Sequence, residues 1–180
     1  MTLTQQILTS GQFGEEAHAL EFFDAAVART DAFRICREVT GTYIQPHHDV
    51  DLKRARIDRI LIPNSKAVAA GWRDGPIGIE CKKSGHKLGR VLSQALDYSR
   101  CAWELENGFT IMLRWIFIWP LDNPKGDLES VMAQHRIGYV MSSSHIPLAF
   151  GCGGTNGISI YASGLIEAKT LPMGRKVGSR

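Results

Sequence analysis

Two stretches, Ile57-Asp58-Arg59-Ile60-Leu61-Ile62 and Ile77-Gly78-Ile79-Glu80-Cys81-Lys82, decide how this chain is read. Each is a short apolar, β-branched run of the kind that forms a strand inside a sheet. Each also carries an acid in its middle, and in the second a lysine follows two residues after the acid. Strand side chains alternate faces, so Glu80 and Lys82 are expected to point one way and Ile79 and Cys81 the other. With Asp58 on the same face of a neighbouring strand, two carboxylates and an ammonium meet at the rim of an apolar core. Charges there are expensive to bury unless they pair or bind a metal. Two hard oxygen ligands beside an amine suit Mg²⁺ held against a phosphodiester with a water to be activated.

The polar turn Ser84-Gly85-His86-Lys87-Leu88-Gly89 follows, and the spacing then predicts a helix from about residue 88 to 104. Val91, Gln94, Tyr98 and Cys101 recur at helical spacing, so Gln94 and Tyr98 sit one turn apart on one face. Leu88, Leu92, Ala95, Leu96, Ala102 and Trp103 provide the apolar bulk. Strand, acid-x-lysine, helix, then glutamine and tyrosine four apart resembles the PD-(D/E)XK nuclease superfamily. The Gln94-x-x-x-Tyr98 pattern is similar to the helix motif of its RecB-like and phage-exonuclease-like branches, close to the Holliday-junction-resolvase-like enzymes. The resemblance implies a restriction-endonuclease-like αβββαβ core, a mixed central sheet flanked by helices. It also implies a further glutamate, supplied by the first helix and facing the metal.

That helix is expected at about residues 12–29, where Ser10-Gly11-Gln12-Phe13-Gly14-Glu15-Glu16 leads into an apolar stripe at Phe13, Leu20, Phe23 and Val27. Glu16 falls on the stripe, four before Leu20 and seven before Phe23. It is therefore the candidate for the extra ligand. Glu15 lies one step off and is read as complementing the helix dipole. Glu38, beside the next strand, is the alternative to Glu16.

Composition is compatible with this reading without producing it. A chain of 180 residues naturally forms one domain with a substantial core. Its 44% hydrophobic and 22% charged residues are ordinary for a globular protein. A formal net charge of +3 does not mark a nucleic-acid binder, but its distribution is informative. Lys53, Arg54, Arg56 and Arg59 surround Asp58, and Lys82, Lys83, Lys87 and Arg90 follow Glu80. Cations around an acidic metal site offset the repulsion between carboxylates and a phosphate backbone. The four cysteines, Cys36, Cys81, Cys101 and Cys152, show no paired spacing, which argues against a zinc cage and for free thiols in a reducing, cytoplasmic compartment. Met1 to Gln6 lacks a basic start and a long apolar run, so no secretory leader is expected. The most apolar run, Ile111 to Leu121, contains Arg114 and ends at Pro120, which predicts a buried strand and no membrane span.

Along the chain the expected elements are the first helix and strands at about 33–44 and 55–62. After the turns Pro63-Asn64-Ser65 and Asp74-Gly75-Pro76 come the Glu80 strand, the Gln94 helix and a strand at about 111–119. This core of about 12–120 is extended by a helix near Asp127 to His135 and strands near 137–141, 148–150 and 157–161, before a basic tail at 172–180. His47-His48-Asp49 with Asp51 has metal-ligand residue types but reads as a solvated loop. The run Gly151-Cys152-Gly153-Gly154-Thr155-Asn156-Gly157 lacks the Lys-Ser or Lys-Thr of a phosphate loop and reads as a hairpin.

The expectation is a Mg²⁺-dependent deoxyribonuclease, with Mn²⁺ as a substitute ion. Asp58, Glu80, the Cys81 carbonyl and Glu16 hold the metal, and Lys82 serves the attacking water. Gln94 positions Lys82 or the nucleophile, and Tyr98 supports the helix face or touches a phosphate. Lys53, Arg54, Arg56, Lys83, Lys87 and Arg90 carry the DNA backbone. DNA is the expected partner, self-association is left open, and no membrane contact is expected. A nucleic-acid-binding protein of the same fold without chemistry is the second reading, although no motif position is replaced. A subunit whose apolar strands pair with a partner is the third.

Overall fold

The computed structural model describes residues 15–44, 54–82, 87–121, 124, 126–153 and 155–171. Among them four helices, α1 (Glu16–Ala28), α2 (Ser65–Ala69), α3 (Leu88–Tyr98) and α4 (Asp127–Gln134), flank ten strands. The strands are β1 (Phe33–Tyr43), β2 (Arg54–Pro63), β3 (Ile77–Cys81), β4 (Cys101–Glu104), β5 (Thr110–Met112), β6 (Trp115–Trp119), β7 (Ile137–Met141), β8 (Leu148–Cys152), β9 (Thr155–Ile160) and β10 (Ile166–Ala168). All ten belong to one mixed sheet, in the order β10-β9-β8-β7-β6-β3-β2-β1-β4-β5.

Strands β1, β2 and β3 form an antiparallel meander, and β3 then pairs in parallel with β6. A parallel pair needs a crossover. Here α3 and the β4–β5 hairpin supply it, and the hairpin extends the opposite edge by pairing with β1. Beyond β6 the chain adds β7 in parallel and then the antiparallel run β8, β9 and β10.

The central strands β3 and β6 are buried at every residue, apolar throughout except for Glu80 on β3, as strands covered on both faces are. Helix α1 covers one face through Ala19, Phe22, Phe23, Ala26 and Val27, packed with Ile77, Ile79, Cys81, Phe117 and Trp119. Phe23, Phe117 and Phe150 meet edge to face there, with centroids 6.0 and 5.2 Å apart. Such pairs add about 0.5–1.5 kcal/mol each to simple burial. Helix α3 covers the other face through Val91, Ala95 and Tyr98, against Ile57, Ile60, Trp103, Ile116 and Ile118. The carboxyl ends of β3 and β6 are fastened to the start of α1, where Trp119 Nε1 donates to the Ala19 carbonyl at 3.2 Å.

Two expectations about elements are corrected, and one segment left without an element gains a helix. The helix predicted to 104 stops at Tyr98, and Cys101, Ala102 and Trp103 turn back as β4 along β1. The reason is tertiary: the Trp103 ring packs over Gly41, where a Cβ would lie 2.6 Å from Trp103 Cε3. The strand predicted at 111–119 is two strands, β5 at the sheet edge and β6 in its centre, separated at Leu113-Arg114. The segment between Pro63 and Asp74 contains a short helix, capped by the Asn64 side chain on the Lys66 and Ala67 amides. The glycine-rich run is the β8–β9 hairpin, with Cys152 opposite Thr155 and Gly153 at φ 57°. Among the described residues, no helix is long and apolar enough to cross a membrane.

Candidate metal centre

The site forms where two strands part. β2 and β3 stay paired as far as Arg59 opposite Ile79, one step short of setting Asp58 opposite Glu80. β3 continues alongside β6, and the Lys82 amide donates to the Trp119 carbonyl at 2.8 Å. Successive strand residues offer their N–H and C=O to opposite edges. The Cys81 amide and carbonyl therefore turn to the edge that β2 has left. Asp58 takes the vacated place, and its Oδ2 accepts from the Cys81 N–H at 2.6 Å.

A local break in β1 and β2 accompanies this placement. Ile57 and Ile60 on β2, and Cys36 and Val39 on β1, all pack into the core beneath α3 although each pair is three residues apart. Regular alternation would send the members of each pair to opposite faces. The register passes from Arg37 opposite Arg59 to Val39 opposite Ile57 and skips the residues between, Glu38 and Asp58. Glu38 has φ 50°. A positive φ outside glycine is uncommon, costs of order 1–3 kcal/mol, and clusters at functional sites. Counting from Ile60 beneath α3 and Arg59 toward Asp24, Asp58 falls on the face of Glu80, and the break comes immediately beyond it, at Ile57.

Glu80 is 2% exposed. Its Oε1 pairs with Lys82 Nζ, and its buried Oε2 makes no hydrogen bond of ordinary geometry, although the Tyr98 hydroxyl stands close enough to pull the Glu80 carboxyl down. Burial and then repulsion from Asp58 push its carboxyl up to about 7, against the opposing pull of Lys82. Burial also raises Asp58, offset by the Cys81 amide and Lys82, while the charges of Glu38 and Glu16 add to the rise. The Cys81 thiol is pushed far up by burial and by the same acids. Glu16 is near this centre in two ways: its charge reaches Asp58 and Cys81, and its carbonyl accepts from Cys81 Sγ at 3.8 Å.

These residues fit a hard divalent cation. A buried Glu80 carboxylate raised by the neighbouring Asp58, and an Asp58 raised by burial and by the charges of Glu38 and Glu16, leave negative charge that a cation would relieve. Among the described residues no three His, Cys, Asp and Glu side chains form a metal-binding group. Mg²⁺ commonly takes one or two carboxylates and keeps several waters. Asp58, Glu80 and the Cys81 carbonyl would be its protein ligands.

On α3 the Gln94 amide donates to the Tyr98 hydroxyl, which donates in turn to the Arg56 carbonyl at 2.6 Å. Tyr98 is 5% exposed. Its hydroxyl ties α3 to β2 and lies beside Glu80. Gln94 also lines, with Lys82, Lys87, Arg90 and Val91, a cavity of about 300 Å³. Lys87 and Arg90 are exposed there. Arg54 is exposed on β2, and Arg56 is exposed but pairs with Glu38 at 3.1 Å. Lys53 and Lys83, with the His47-His48-Asp49 loop and Asp51, lie outside the described residues.

Arg59 corrects the reading of the basic patch. It is buried and faces inward, where its Nε meets Asp24 Oδ1 on α1 at 2.8 Å. Its Nη1 donates to the Asp58 carbonyl at 2.7 Å. The other oxygen of Asp24 takes the exposed Arg37 at 2.8 Å. Sequence reasoning missed Asp24, although its position four after Leu20 and three before Val27 puts a carboxylate beside the inward stripe. Comparison of the chain with protein-family models, curated proteins and solved structures gave no match.

Proposed function

We infer that this chain is a Mg²⁺-dependent deoxyribonuclease built on a restriction-endonuclease-like core of the PD-(D/E)XK type. The observation that carries the reading is a buried Glu80 carboxylate under the charge of Asp58 where β2 leaves β3, with Asp58 bound to the Cys81 amide and Lys82 held on Glu80. The order α1-β1-β2-β3-α3-β6, with an antiparallel meander and then a parallel strand, supports it as well. The β4–β5 hairpin and β7 to β10 would be additions to that core.

When bound, Mg²⁺ would supply charge neutralisation at a phosphoryl oxygen and a lowered pKa for a coordinated water. Asp58 and Glu80 would hold the ion, and Glu16 would add negative charge. Relieved of part of its pairing with Glu80, Lys82 would direct its ammonium at the attacking water and at the charge growing on the phosphorus oxygens. The cavity between Lys82, Gln94, Lys87 and Arg90 would receive the phosphate backbone, and the Gln94–Tyr98–Arg56 chain keeps α3 at a set height above the acids. Recombination, repair, defence and phage DNA processing are all settings for such chemistry.

Circular, linear, single-stranded and branched DNA digested in parallel with Mg²⁺, Mn²⁺ and EDTA tests the reading. Cleavage that needs the ion is expected. Asp58→Asn and Glu80→Gln should lose both divalent-ion binding and cleavage. Lys82→Ala should slow single-turnover cleavage by about 10²–10⁴ while DNA affinity in Ca²⁺ stays within a few-fold. A parent that binds DNA but cuts none of these substrates with any divalent ion would favour the inactive binding module.

A further inference from the structure

We propose that Arg59 and Asp24 form a positioning pair that sets the Asp58 carboxylate in place for the metal. The proposal rests on the two-carboxylate reading above. The β1–β2 break at Glu38 and Asp58 leaves the Asp58 peptide without a regular ladder position. A fork-shaped guanidinium can hold two acceptors at once, and Arg59 does so: the Asp58 carbonyl at 2.7 Å and Asp24 Oδ1 at 2.8 Å. With the Asp58 peptide clamped from one side, its carboxylate reaches the Cys81 amide at 2.6 Å. Asp24 belongs to α1, the helix that also carries Glu16, so the same pair sets where that helix meets the site.

The burial pattern favours geometry over stability as the reason for the pair. Arg59 and Arg37 are cross-strand partners, and like charges opposite one another are unfavourable. Asp24 is shared between them, with the Arg59 side chain 9% exposed and the Arg37 side chain 60%. A buried ion pair is weak support for a fold, and an apolar residue of similar volume commonly does as well. What an apolar residue lacks is the bond to the Asp58 carbonyl.

Electrostatics and positioning predict opposite signs, which makes the pair testable. Removing a nearby cation should tighten binding of a divalent ion by Coulomb's law. Removing a residue that orients a ligand typically weakens it by about 10–100-fold. Arg59→Met keeps the apolar stem and leaves Asp24 paired with Arg37. Arg37→Met removes the same charge beside the same aspartate without touching Asp58. Mn²⁺ titrated calorimetrically into parent and both variants, each confirmed folded by thermal unfolding, is the test. Amide hydrogen exchange at Cys81 in the metal-free proteins gives a readout that needs no ion.

The expected result is Mn²⁺ affinity about 10–100-fold weaker in Arg59→Met, unchanged or slightly tighter in Arg37→Met, and a faster-exchanging Cys81 amide only in the former. Should Arg59→Met fail to fold, Arg59→Lys serves, because an ammonium keeps the charge but not the fork, and the same loss is expected. Affinity in the Arg59 variant within twofold of the parent would overturn the pair while leaving the metal centre standing. A parent that takes up no Mn²⁺ would overturn the metal centre and the pair together.

Discussion

Glu80 combines two demands that a single carboxylate meets only in a protein interior. With no ion bound, its carboxyl is raised from 4.5 to about 7 by burial and by Asp58. The fold therefore prefers the protonated form. Above pH 7 the folded state bears the full cost of the ionised group. As pH falls from about 7 to 4.5, the folded state takes up the proton before the unfolded chain does, so this group's contribution makes folding more favourable. One pKa unit is worth about 1.4 kcal/mol, which bounds the effect at about 3 kcal/mol across that window. A bound cation reverses the preference, because it favours both carboxylates ionised and its uptake releases a proton. Thermal unfolding in EDTA should show stability rising from pH 7.5 to 5.5, and Glu80→Gln should flatten that rise. Divalent-ion affinity of the parent should fall over the same interval. If the glutamine variant kept the parent's slope in EDTA, another group would be the one titrating. Glu80 and Lys82 were legible because alternation within one short strand decides their shared face. Asp58 was only half legible: alternation gives its face, but the φ of 50° at Glu38 and the Arg59 fork beside it belong to contacts between distant segments.

The elements divide along the same line. Helix α3 announces itself by the spacing of Val91, Ala95 and Tyr98, all buried on one side. Its end does not, because Ala102 and Trp103 are as acceptable in a helix as in a strand, and the choice is made by Gly41 on β1. Gly41→Ala should therefore destabilise the protein by about 1–3 kcal/mol, as overpacking does. Gly89, in the first turn of the same helix, is the opposite case. Among the described residues nothing lies within 4 Å of where its Cβ would stand, so their packing does not require glycine there. Helical glycine costs about 0.5–1 kcal/mol relative to alanine. Gly89→Ala should raise the unfolding temperature by about 1–4 °C for a chain of this length. Calorimetry of the two alanine variants side by side checks both signs. A Gly89→Ala protein less stable than the parent would mean that the turn between Lys87 and Arg90 is closed by something that the present packing does not hold.

At the scale of the molecule, the order of core elements was readable because each strand and helix carries its own period. The ten-strand sheet was not, since β4, β5 and β10 are three or four residues long and owe their pairing to neighbours far along the chain. The proposed metal centre lies between β2 and β3, inside this sheet and beside α1, so an ion there would bridge segments that separate on unfolding. Binding to the folded state alone stabilises by RT ln(1 + [L]/Kd), about 2.7 kcal/mol at one hundred times Kd. For a chain of this length that is a rise of about 5–11 °C in the unfolding temperature. Mg²⁺ or Mn²⁺ added to the parent should produce it, and EDTA should remove it. Asp58→Asn should show no rise with either ion, while unfolding in EDTA at or above the parent's temperature, because the repulsion between Asp58 and Glu80 is gone. Lys87→Ala with Arg90→Ala, which removes surface cations and no metal ligand, should keep the full rise. Equal rises in the parent and in Asp58→Asn would place the ion elsewhere on the molecule and detach the divalent requirement from the β2–β3 junction.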